Sequence, residues 1–511
     1  MKITSTKVEK GENEMNTFLK EMKNDANYKY TENGAVAYKS TNSAVYDMFA
    51  FGAAYRSRTA EDVILLFKNA FEENRELALK CLFYIGDCRG GQGERRFFRL
   101  CFNWLAEQYP EIARKNLEIV PTYRRWDDII YSCFDTPVEA DMLALVKHQL
   151  ALDVECKTPS LLAKWLPSEN ASSATTKIAG SRIRAALGMN HKQYRKVLSA
   201  LRTRINIVEK LMSEGRWDEI EFDKIPSRAG LIYKNAFARR DLIAQKYAEF
   251  AKDETKKVNA ATLYPYEIVK KAIERSGFWD YNYRDISETD RQMIEKYWDN
   301  LPDYFDGKQS NMLCVVDTSG SMSGTPINVA ISLGMYCAER AGGPFKDHYI
   351  SFSSRPQLIH IEGIDFVDKV RRIKATNLCE NTNLTATFDM LLNIADRPEV
   401  SEEDIPSTIV VISDMEIDCS GCYRSDRWTK EGASTEMEKV RRKWAEHGHK
   451  LPRLVYWNVS ARNNTILDAG PNVSFVSGMS PSTFASVITG KNGMDLMMET
   501  ITAERYSAVT I

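Results

Sequence analysis

The apolar run Met312–Val316 and the polar residues directly after it constrain the fold of this chain more than any other segment. The run has the length and β-branched content of a strand buried on both faces, as in a parallel sheet. It ends at Asp317, and Ser319 and Ser321 follow at alternate positions, with Gly320 allowing a tight turn. Because open α/β sheets bind ligands at the carboxyl ends of their strands, we expect one carboxylate and two hydroxyls to converge there. Hard oxygen ligands of this kind suit Mg²⁺.

Two later segments complete this pattern and carry a resemblance to a known domain. The loop Glu380–Thr385 precedes an apolar helix, and the strand Thr408–Ile412 ends in Ser413 and Asp414. Together with the Asp-x-Ser-x-Ser motif, these segments resemble the von Willebrand factor A domain and its metal-ion-dependent adhesion site. The resemblance implies that Mg²⁺, or another divalent cation, binds at Asp317, Ser319, Ser321, Thr382 and Asp414.

The threonine ligand has two candidates. Thr382 is preferred to Thr385 because it lies in the loop rather than on the face of the following helix. Taken alone, the Asp-x-Ser-x-Ser motif also fits a helix N-cap or a turn, and the two partner loops favour the metal site over that alternative.

The periodicity of apolar residues changes near residue 306. Before that point, stripes such as Val63, Leu66, Phe67, Ala70 and Phe71 recur with helical spacing and short connections. After it, strands alternate with helices that start near Pro326, Phe366, Ala386, Ser434 and Pro481. The predicted strands are Met312–Val316, Tyr349–Phe352, Gln357–Ile361, Ser407–Ile412, Arg453–Val459 and Val473–Val476. The sequence therefore predicts an all-α, HEAT-like helical-repeat domain over 1–306 and a doubly wound α/β domain over 307–511.

Composition excludes several classes of protein. The 511 residues are 43% hydrophobic and 27% charged, as in ordinary globular proteins, and no run of 18 apolar residues predicts a membrane span. Cys81, Cys101, Cys314 and Cys337 fall within apolar patterns, which indicates reduced core thiols and a cytoplasmic location. The six histidines show no ligand spacing beyond the pair His447 and His449, and no nucleophile–base arrangement is visible. We therefore expect a protein that binds rather than an enzyme.

Charge is distributed unevenly along the chain. Residues 1–300 carry 48 Lys and Arg against 43 Asp and Glu, whereas the remainder carries 21 against 27. Between Lys157 and Val208 there are ten basic residues and one acid, Glu169, which is the footprint of a site for a polyanion such as RNA. Tyr194 lies among these cations and is expected to stack on a base. The predicted RNA-binding residues are Lys164, Arg182, Arg184, Lys192, Tyr194, Arg195, Lys196, Arg202 and Arg204.

The basic stretch and a glycine-rich turn each have a purely structural interpretation as well. The basic stretch also fits a solvated helix face, although the shortage of acids prevents pairing along the helix. The turn Gly90–Gly93 has the composition of a phosphate cradle, but it follows no strand and lacks the Gly-Lys-Ser/Thr ending of a P-loop. A turn between two helices is the better interpretation of those glycines.

Several short segments carry a resemblance that spans nearly the whole chain. They include Thr31–Ala35, Arg89–Arg95, Arg124–Asp128 and Lys164–Ser168. In this order they resemble an uncharacterised family found in viruses, bacteria and plants. Its layout is similar to that of the Ro ribonucleoprotein family, in which a TROVE module of HEAT-like helices precedes a von Willebrand factor A domain.

The resemblance implies an RNA-binding scaffold of a ribonucleoprotein, whose helical domain binds single-stranded or structured RNA. The alternative is a metal-dependent protein-interaction module, in which the metal binds an acidic residue of a partner protein. Whether the helices close into a ring is left open by the sequence.

Overall fold

The structure is a computed structural model that describes residues 27–205, 207–274, 283–352, 355–376, 381–419 and 434–511. Helices fill most of the chain up to Asp299, and a six-stranded sheet flanked by helices follows from Met312. The predicted fold class, a helical N-terminal part followed by an α/β domain, is therefore confirmed.

The helical elements lie as follows. The helices of the N-terminal part are α1 (Ala44–Phe51), α2 (Ala60–Glu73), α3 (Arg75–Gly86), α4 (Arg95–Gln108), α5 (Pro110–Asn116), α6 (Val120–Tyr123), α7 (Trp126–Cys133), α8 (Glu139–Glu155), α9 (Leu162–Trp165), α10 (Ala174–Ala186), α11 (His191–Arg204), α12 (Val208–Ser213), α13 (Ser227–Ala238), α14 (Asp241–Lys252), α15 (Pro265–Ala272) and α16 (Glu288–Asp299). Those of the C-terminal part are α17 (Thr325–Arg340), α18 (Phe366–Thr376), α19 (Leu384–Ala395), α20 (Glu436–Glu446), α21 (Thr483–Val487) and α22 (Gly493–Ile501). Short 3₁₀ turns lie at Gly52–Ser57, Trp217–Glu219, Phe222–Lys224, Gly320–Met322 and Glu504–Tyr506.

Local signals start the early helices and apolar stripes pack them. The side chains of Thr59 and Asn74 accept backbone hydrogen bonds at the first turns of α2 and α3, which is how N-caps satisfy free amide groups. The predicted stripe of α2 is fully buried, and α2 packs against both α3 and α4. The packing of consecutive helices against each other follows from the short connections between them.

The strands are β1 (Tyr28–Tyr30), β2 (Val36–Tyr38), β3 (Met312–Asp317), β4 (His348–Phe352), β5 (Gln357–His360), β6 (Thr408–Ser413), β7 (Arg453–Asn458) and β8 (Val473–Ser477). The large sheet has the order β5-β4-β3-β6-β7-β8, and its pairs are parallel except for the antiparallel edge pair β4–β5. All six strands predicted for this part match observed strands to within one residue at either end. Gly334 of α17 faces the centre of the sheet, since a Cβ there would lie 2.5 Å from the Val316 side chain.

The N-terminal segment does not remain with the helices. The strands β1 and β2 form a hairpin that the helical periodicity did not predict, and Tyr38 pairs with Ile466 of the C-terminal part. Helix α1 then packs against β8. The predicted division at residue 306 lies between α16 and β3, and the first described residues cross it to pack on the sheet.

The glycine-rich turn before α4 joins helices to the sheet domain. The backbone N–H of Gln92 donates to the Tyr84 carbonyl at 3.1 Å, and the Gln92 side chain donates to the Thr483 hydroxyl at 2.5 Å. A Cβ on Gly91 would lie 2.0 Å from the Tyr84 carbonyl oxygen. Gly91 thus serves a close approach of backbone to backbone, which agrees with a helix–helix turn.

Replacing Gly91 by alanine should destabilise the fold, because the clash is with backbone that cannot rotate away. We expect a loss of about 1–3 kcal/mol in the free energy of unfolding, the usual cost of overpacking, measured by chemical denaturation. Gly320→Ala is the matched control, since nothing lies within 4 Å of a Cβ at that position. Equal stability of the two variants would contradict this account.

Candidate metal centre and nucleic-acid interface

Two carboxylates meet at the carboxyl edge of the sheet because β3 and β6 are parallel neighbours. The pairing of Val316 with Ile412 places Asp317 and Asp414 at the ends of adjacent strands. Both carboxylates are fully buried. The Ser413 hydroxyl donates to Asp317 Oδ2 at 2.5 Å, which ties the two strand ends together.

The first loop brings its three predicted ligands together. The Ser319 backbone N–H donates to Asp317 Oδ1 at 2.9 Å, and the Oγ atoms of Ser319 and Ser321 lie 3.0 Å apart. Ser319 is buried and Ser321 is exposed, so the cluster reaches from the sheet edge to the surface. The arrangement agrees with the spacing of the Asp-x-Ser-x-Ser motif.

The electrostatics of this cluster suit a cation. Burial raises the pKa of Asp317 to about 6, and the negative charge of Asp414 contributes to the same shift. In the described part of the chain, no Lys, Arg or His pairs with Asp317. The same residues contain no group of three His, Cys, Asp or Glu side chains able to hold a metal, so hydroxyls must complete the donor set. Two carboxylates with serine hydroxyls are the oxygen donors that Mg²⁺ prefers.

Asp414 differs from Asp317 in having a cationic neighbour. Its Oδ2 accepts a hydrogen bond from Arg462 Nη2 at 2.9 Å, and its Oδ1 accepts from the Glu416 backbone N–H at 3.2 Å. Arg462 also lies 3.1 Å from the Glu32 carboxylate. One side of the site therefore carries a positive charge of its own.

The two threonine candidates have different surroundings. Thr382 is buried, and its Oγ1 lies 3.3 Å from the Glu416 carbonyl and 3.2 Å from Asn33 Nδ2. Thr385 Oγ1 donates instead to Glu436 at the start of α20, at 3.0 Å. Thr382 thus contacts the loop that carries Asp414, whereas Thr385 contacts α20, and the choice of Thr382 as the ligand stays a prediction. Residues 377–380, including Glu380 of the predicted loop, lie outside the described residues.

The turn between β1 and β2 lies against this site, which sequence reasoning did not predict. The Thr31 hydroxyl donates to the Ile417 carbonyl at 2.8 Å, and Asn33 Nδ2 donates to the Glu416 carbonyl at 2.6 Å. The Glu32 backbone N–H donates to the buried Glu416 carboxylate at 2.7 Å. The contacting residues lie nearly 400 positions apart in the chain, so no local sequence pattern indicates these contacts.

The predicted RNA-binding residues fall into separate groups. Arg182 pairs with Asp135 and Glu139, at 2.7 and 2.5 Å, and Arg184 pairs with Glu169 at 2.8 Å. The acids that neutralise these two arginines lie outside their helix, so the lack of pairing along the helix does not leave their charges free for RNA. The partners of Arg182 come from elements more than 40 residues earlier in the chain.

Tyr194 is buried and does not present its ring to a base. Only 1% of its surface is exposed, and its hydroxyl donates to the Pro167 carbonyl at 2.9 Å. The stacking role predicted for it therefore conflicts with its position in the core. Arg202 and Arg204 donate to backbone carbonyls, so they also hold neighbouring elements together.

Lys192, Arg195 and Lys196 are exposed and form no ion pair among the described residues. Lys192 and Arg195 line a groove of about 1120 Å³ beside α11. Arg202 also lines this groove, and it lines a second, more strongly basic cavity as well.

That basic cavity lies among the helices and measures about 790 Å³. Elements far apart in sequence line it, because the Tyr264 hydroxyl donates to the Gln92 carbonyl at 2.7 Å and brings the later helices back to the start of α4. Among the described residues lining it, Glu209 is the only acid. The basic residues lining it are Arg95, Arg124, Arg125, Lys164, Arg202, Lys210 and Arg228.

An aromatic ring lies among these cations. The Arg125 guanidinium lies 4.3 Å and the Lys164 ammonium 5.5 Å from the centre of the Trp165 ring, and all three residues line the cavity. Burial lowers the pKa of Arg125, and the nearby charge of Arg95 lowers it further. An anion in the cavity would relieve this crowding. Of the predicted RNA-binding residues, only Lys164 and Arg202 line it.

The fold and these two candidate sites belong to a protein with a helical N-terminal part followed by an α/β domain. The chain belongs to the DUF2828 family, described as a domain of unknown function, whose family model matches residues 31–128 and 120–307. A second domain of unknown function, DUF7788, matches residues 311–507. The expectation of an uncharacterised family is thereby confirmed.

Two individual proteins are similar to the chain. The uncharacterized protein L728 of Acanthamoeba polyphaga mimivirus is 29% identical over 487 residues, which cover 86% of this chain and 81% of the relative. The crystal structure of the Deinococcus radiodurans RO (RSR) protein matches with a TM-score of 0.47 and 14% identity, over 91% of this chain and 100% of that one. Among the described residues, no helix has the length and apolar character that crossing a membrane requires.

The raised pKa of Asp317 predicts how the metal-free protein responds to pH. Its pKa of about 6 exceeds the ordinary value, so the folded state holds this proton more tightly than the unfolded state does. The resulting contribution to stability is complete below about pH 4 and is lost as the pH rises through about 6. In EDTA, thermal unfolding from pH 4 to 7 should show Asp317→Asn gaining stability relative to wild type. A constant difference across that range would contradict the assignment.

Proposed function

We propose that this protein is an RNA-binding scaffold rather than an enzyme, with the basic cavity as its site for single-stranded RNA. The observation that carries the proposal is the cavity itself, with seven cations, one acid and Trp165 among the lining residues. Cations that follow a phosphate backbone, combined with an aromatic platform for a base, are how proteins bind single strands without reading sequence. The proposed location is the cytoplasm.

The chemistry of the lining favours unpaired RNA over a duplex. Trp165 offers a platform for an unstacked base, whereas a duplex keeps its bases stacked and is bound through its backbone. The exposed cations Lys192 and Arg195 of the groove, and the exposed Lys196 on the same helix, extend the positive surface beyond the cavity. Because Arg202 and Lys210 line both the cavity and the groove, a strand leaving the cavity would meet positive charge on its way out.

Part of the positive charge in the cavity is already offset. Arg95 lies 2.7 Å from Asp128, and Arg228 lies 3.0 Å from Glu267. Lys210 lies 2.7 Å from Glu214. Arg125 and Lys164, which flank Trp165, are the best candidates for phosphate contacts. The ion pair of Arg125 with Asp127 is longer than the three above, at 3.4 Å, and Lys164 forms no ion pair among the described residues.

Neutralising the pair beside Trp165 should weaken RNA binding in a salt-dependent way. Binding of a labelled single-stranded RNA to the Arg125→Gln/Lys164→Gln variant should show a flatter log–log salt dependence. We expect the slope to change by about 1.4, since each phosphate contact on a single strand contributes roughly 0.7. Trp165→Ala should weaken binding by about 1–3 kcal/mol at every salt concentration if a base stacks there.

The control for that experiment is Lys192→Gln/Arg195→Gln, which removes the same charge from the groove outside the cavity. Duplex RNA and single-stranded DNA serve as competitors. If the control variant loses as much slope as the cavity variant, the cavity is not the main site of phosphate contact and its place in the proposal is lost. If wild type binds no single-stranded RNA at low salt, the proposal fails.

A second candidate function is supported by the sheet-edge site. Asp317, Ser319, Ser321 and Asp414, with Thr382, would hold Mg²⁺ and leave a coordination position for a carboxylate of a partner protein. The buried carboxylate of Asp317, which pairs with no cation among the described residues, is the observation that favours this. Bound Mg²⁺ would neutralise the two carboxylates and fix the loops at the strand ends.

Removing Asp317 should abolish stabilisation by Mg²⁺. A ligand that binds only the folded state adds ~2.7 kcal/mol at one hundred times its dissociation constant. Thermal unfolding across a Mg²⁺ series should therefore shift upward for wild type and stay constant for Asp317→Ala. Thr382→Val should weaken the response and Thr385→Val should not. A wild-type Mg²⁺ response in Asp317→Ala would disprove the metal assignment.

A further inference from the structure

Arg462 connects the proposed metal site to the N-terminal turn. Its Nη2 lies 2.9 Å from Asp414 Oδ2 and 3.1 Å from Glu32 Oε2, so a single nitrogen is shared between two carboxylates. Asp414 is completely buried, whereas the side chains of Arg462 and Glu32 are 36% and 44% exposed. The guanidinium thus lies on the solvent side of Asp414.

The surrounding contacts fix both partners of this bridge. The Glu32 backbone is held by the Glu416 carboxylate, and Glu32 Oε1 accepts from Asn463 Nδ2 at 3.1 Å. Arg58 donates to the Arg462 carbonyl, which fixes the backbone of the arginine. The Nε of Arg462 is buried and has no hydrogen-bond partner among the described residues. The arginine is thus anchored at its backbone, and its head is held by two competing carboxylates.

The two aspartates of the site are therefore not equivalent. Asp317 pairs with no cation among the described residues, whereas Asp414 already has one. A divalent cation that binds Asp414 would be repelled by the guanidinium that already pairs with this carboxylate, because like charges at short range repel each other strongly in a buried setting.

We infer that Arg462 is a built-in counter-cation that competes with a divalent metal for Asp414, and that Glu32 weakens this competition by drawing the guanidinium toward the N-terminal turn. The inference rests on the metal site put forward as the second candidate function. In this inference Arg462 lowers the affinity of the site for metal, and Glu32, from the N-terminal turn, raises that affinity again.

The bridge also couples metal binding to the turn. A metal that displaces Arg462 from Asp414 leaves the guanidinium to Glu32 alone and strengthens that contact. By linkage, whatever stabilises the contact between Glu32 and Arg462 must favour metal binding to the same extent. The strength of the Glu32 contact in the turn at residues 31–35 therefore depends on whether metal is bound near residues 317 and 414. The same contact in turn favours binding of the metal.

The test is calorimetric titration of the full chain with Mg²⁺ alone. Arg462→Gln should bind Mg²⁺ roughly three- to tenfold more tightly than wild type, because one nearby positive charge is removed. Glu32→Gln should bind more weakly than wild type, because Arg462 then pairs only with Asp414. In the Arg462→Gln background most of the effect of Glu32→Gln should disappear, since the two residues act through one contact. Arg372→Gln removes the same charge from α18, where the arginine pairs with Asp368, and should leave Mg²⁺ affinity unchanged.

The outcomes separate this inference from the metal site on which it rests. Tighter binding by Arg462→Gln, with the Arg372→Gln control unchanged, supports the competition. Unchanged or weaker binding by Arg462→Gln, while wild type still binds Mg²⁺, overturns the inference and leaves the metal site standing. An undiminished effect of Glu32→Gln in the Arg462→Gln background overturns the role of Glu32. If neither wild type nor Arg462→Gln binds Mg²⁺, both the metal site and the inference fail. Circular dichroism in EDTA checks that each variant is folded.

Discussion

The burial of two carboxylates at adjacent strand ends is the constraint on which much of this structure depends. Asp317 and Asp414 are placed together by the register of β3 and β6, and neither can move without breaking the centre of the sheet. Like charges in a buried setting are costly unless other groups compensate them. The Ser413 hydroxyl, the backbone N–H of Ser319 and the Arg462 guanidinium supply that compensation in part. The negative charge that these groups leave uncompensated is the reason that we propose a cation at this edge of the sheet.

The helical part also gathers like charges that are only partly compensated, but there the charges are positive. Its cavity gathers cations from helices distant in sequence, and Asp128 and Glu267 offset only some of them. In both parts, charge imbalance rather than shape marks the candidate site. The two imbalances are complementary, so an RNA phosphate and a metal cation would each be attracted to a different part of the same molecule.

Sequence patterns predicted the local structure well and the distant contacts poorly. Short-range periodicity and spacing determine the six strands, the apolar stripes and the cluster of Asp317, Ser319 and Ser321. Sequence patterns were therefore enough to predict them. Strands β1 and β2 span three residues each, too few for a period-two pattern to register. The pairing of Arg182 with Asp135 depends on how separate helices pack, which no window of sequence reveals. For the same reason, the cavity, which combines Arg95, Lys164 and Arg228, was found only in three dimensions.

The contact between the β1–β2 turn and the sheet has a consequence for how the chain is made. Residues 31–35 leave the ribosome early, but their partners at Glu416, Ile417 and Arg462 emerge only after most of the protein. Contacts of such high sequence separation form late and close a very long loop. During synthesis the turn therefore has no docking surface, and the helices must fold with their N-terminal end unattached. A chain whose synthesis stops before residue 462 would lack Arg462, one of the residues that hold the β1–β2 turn against the α/β domain.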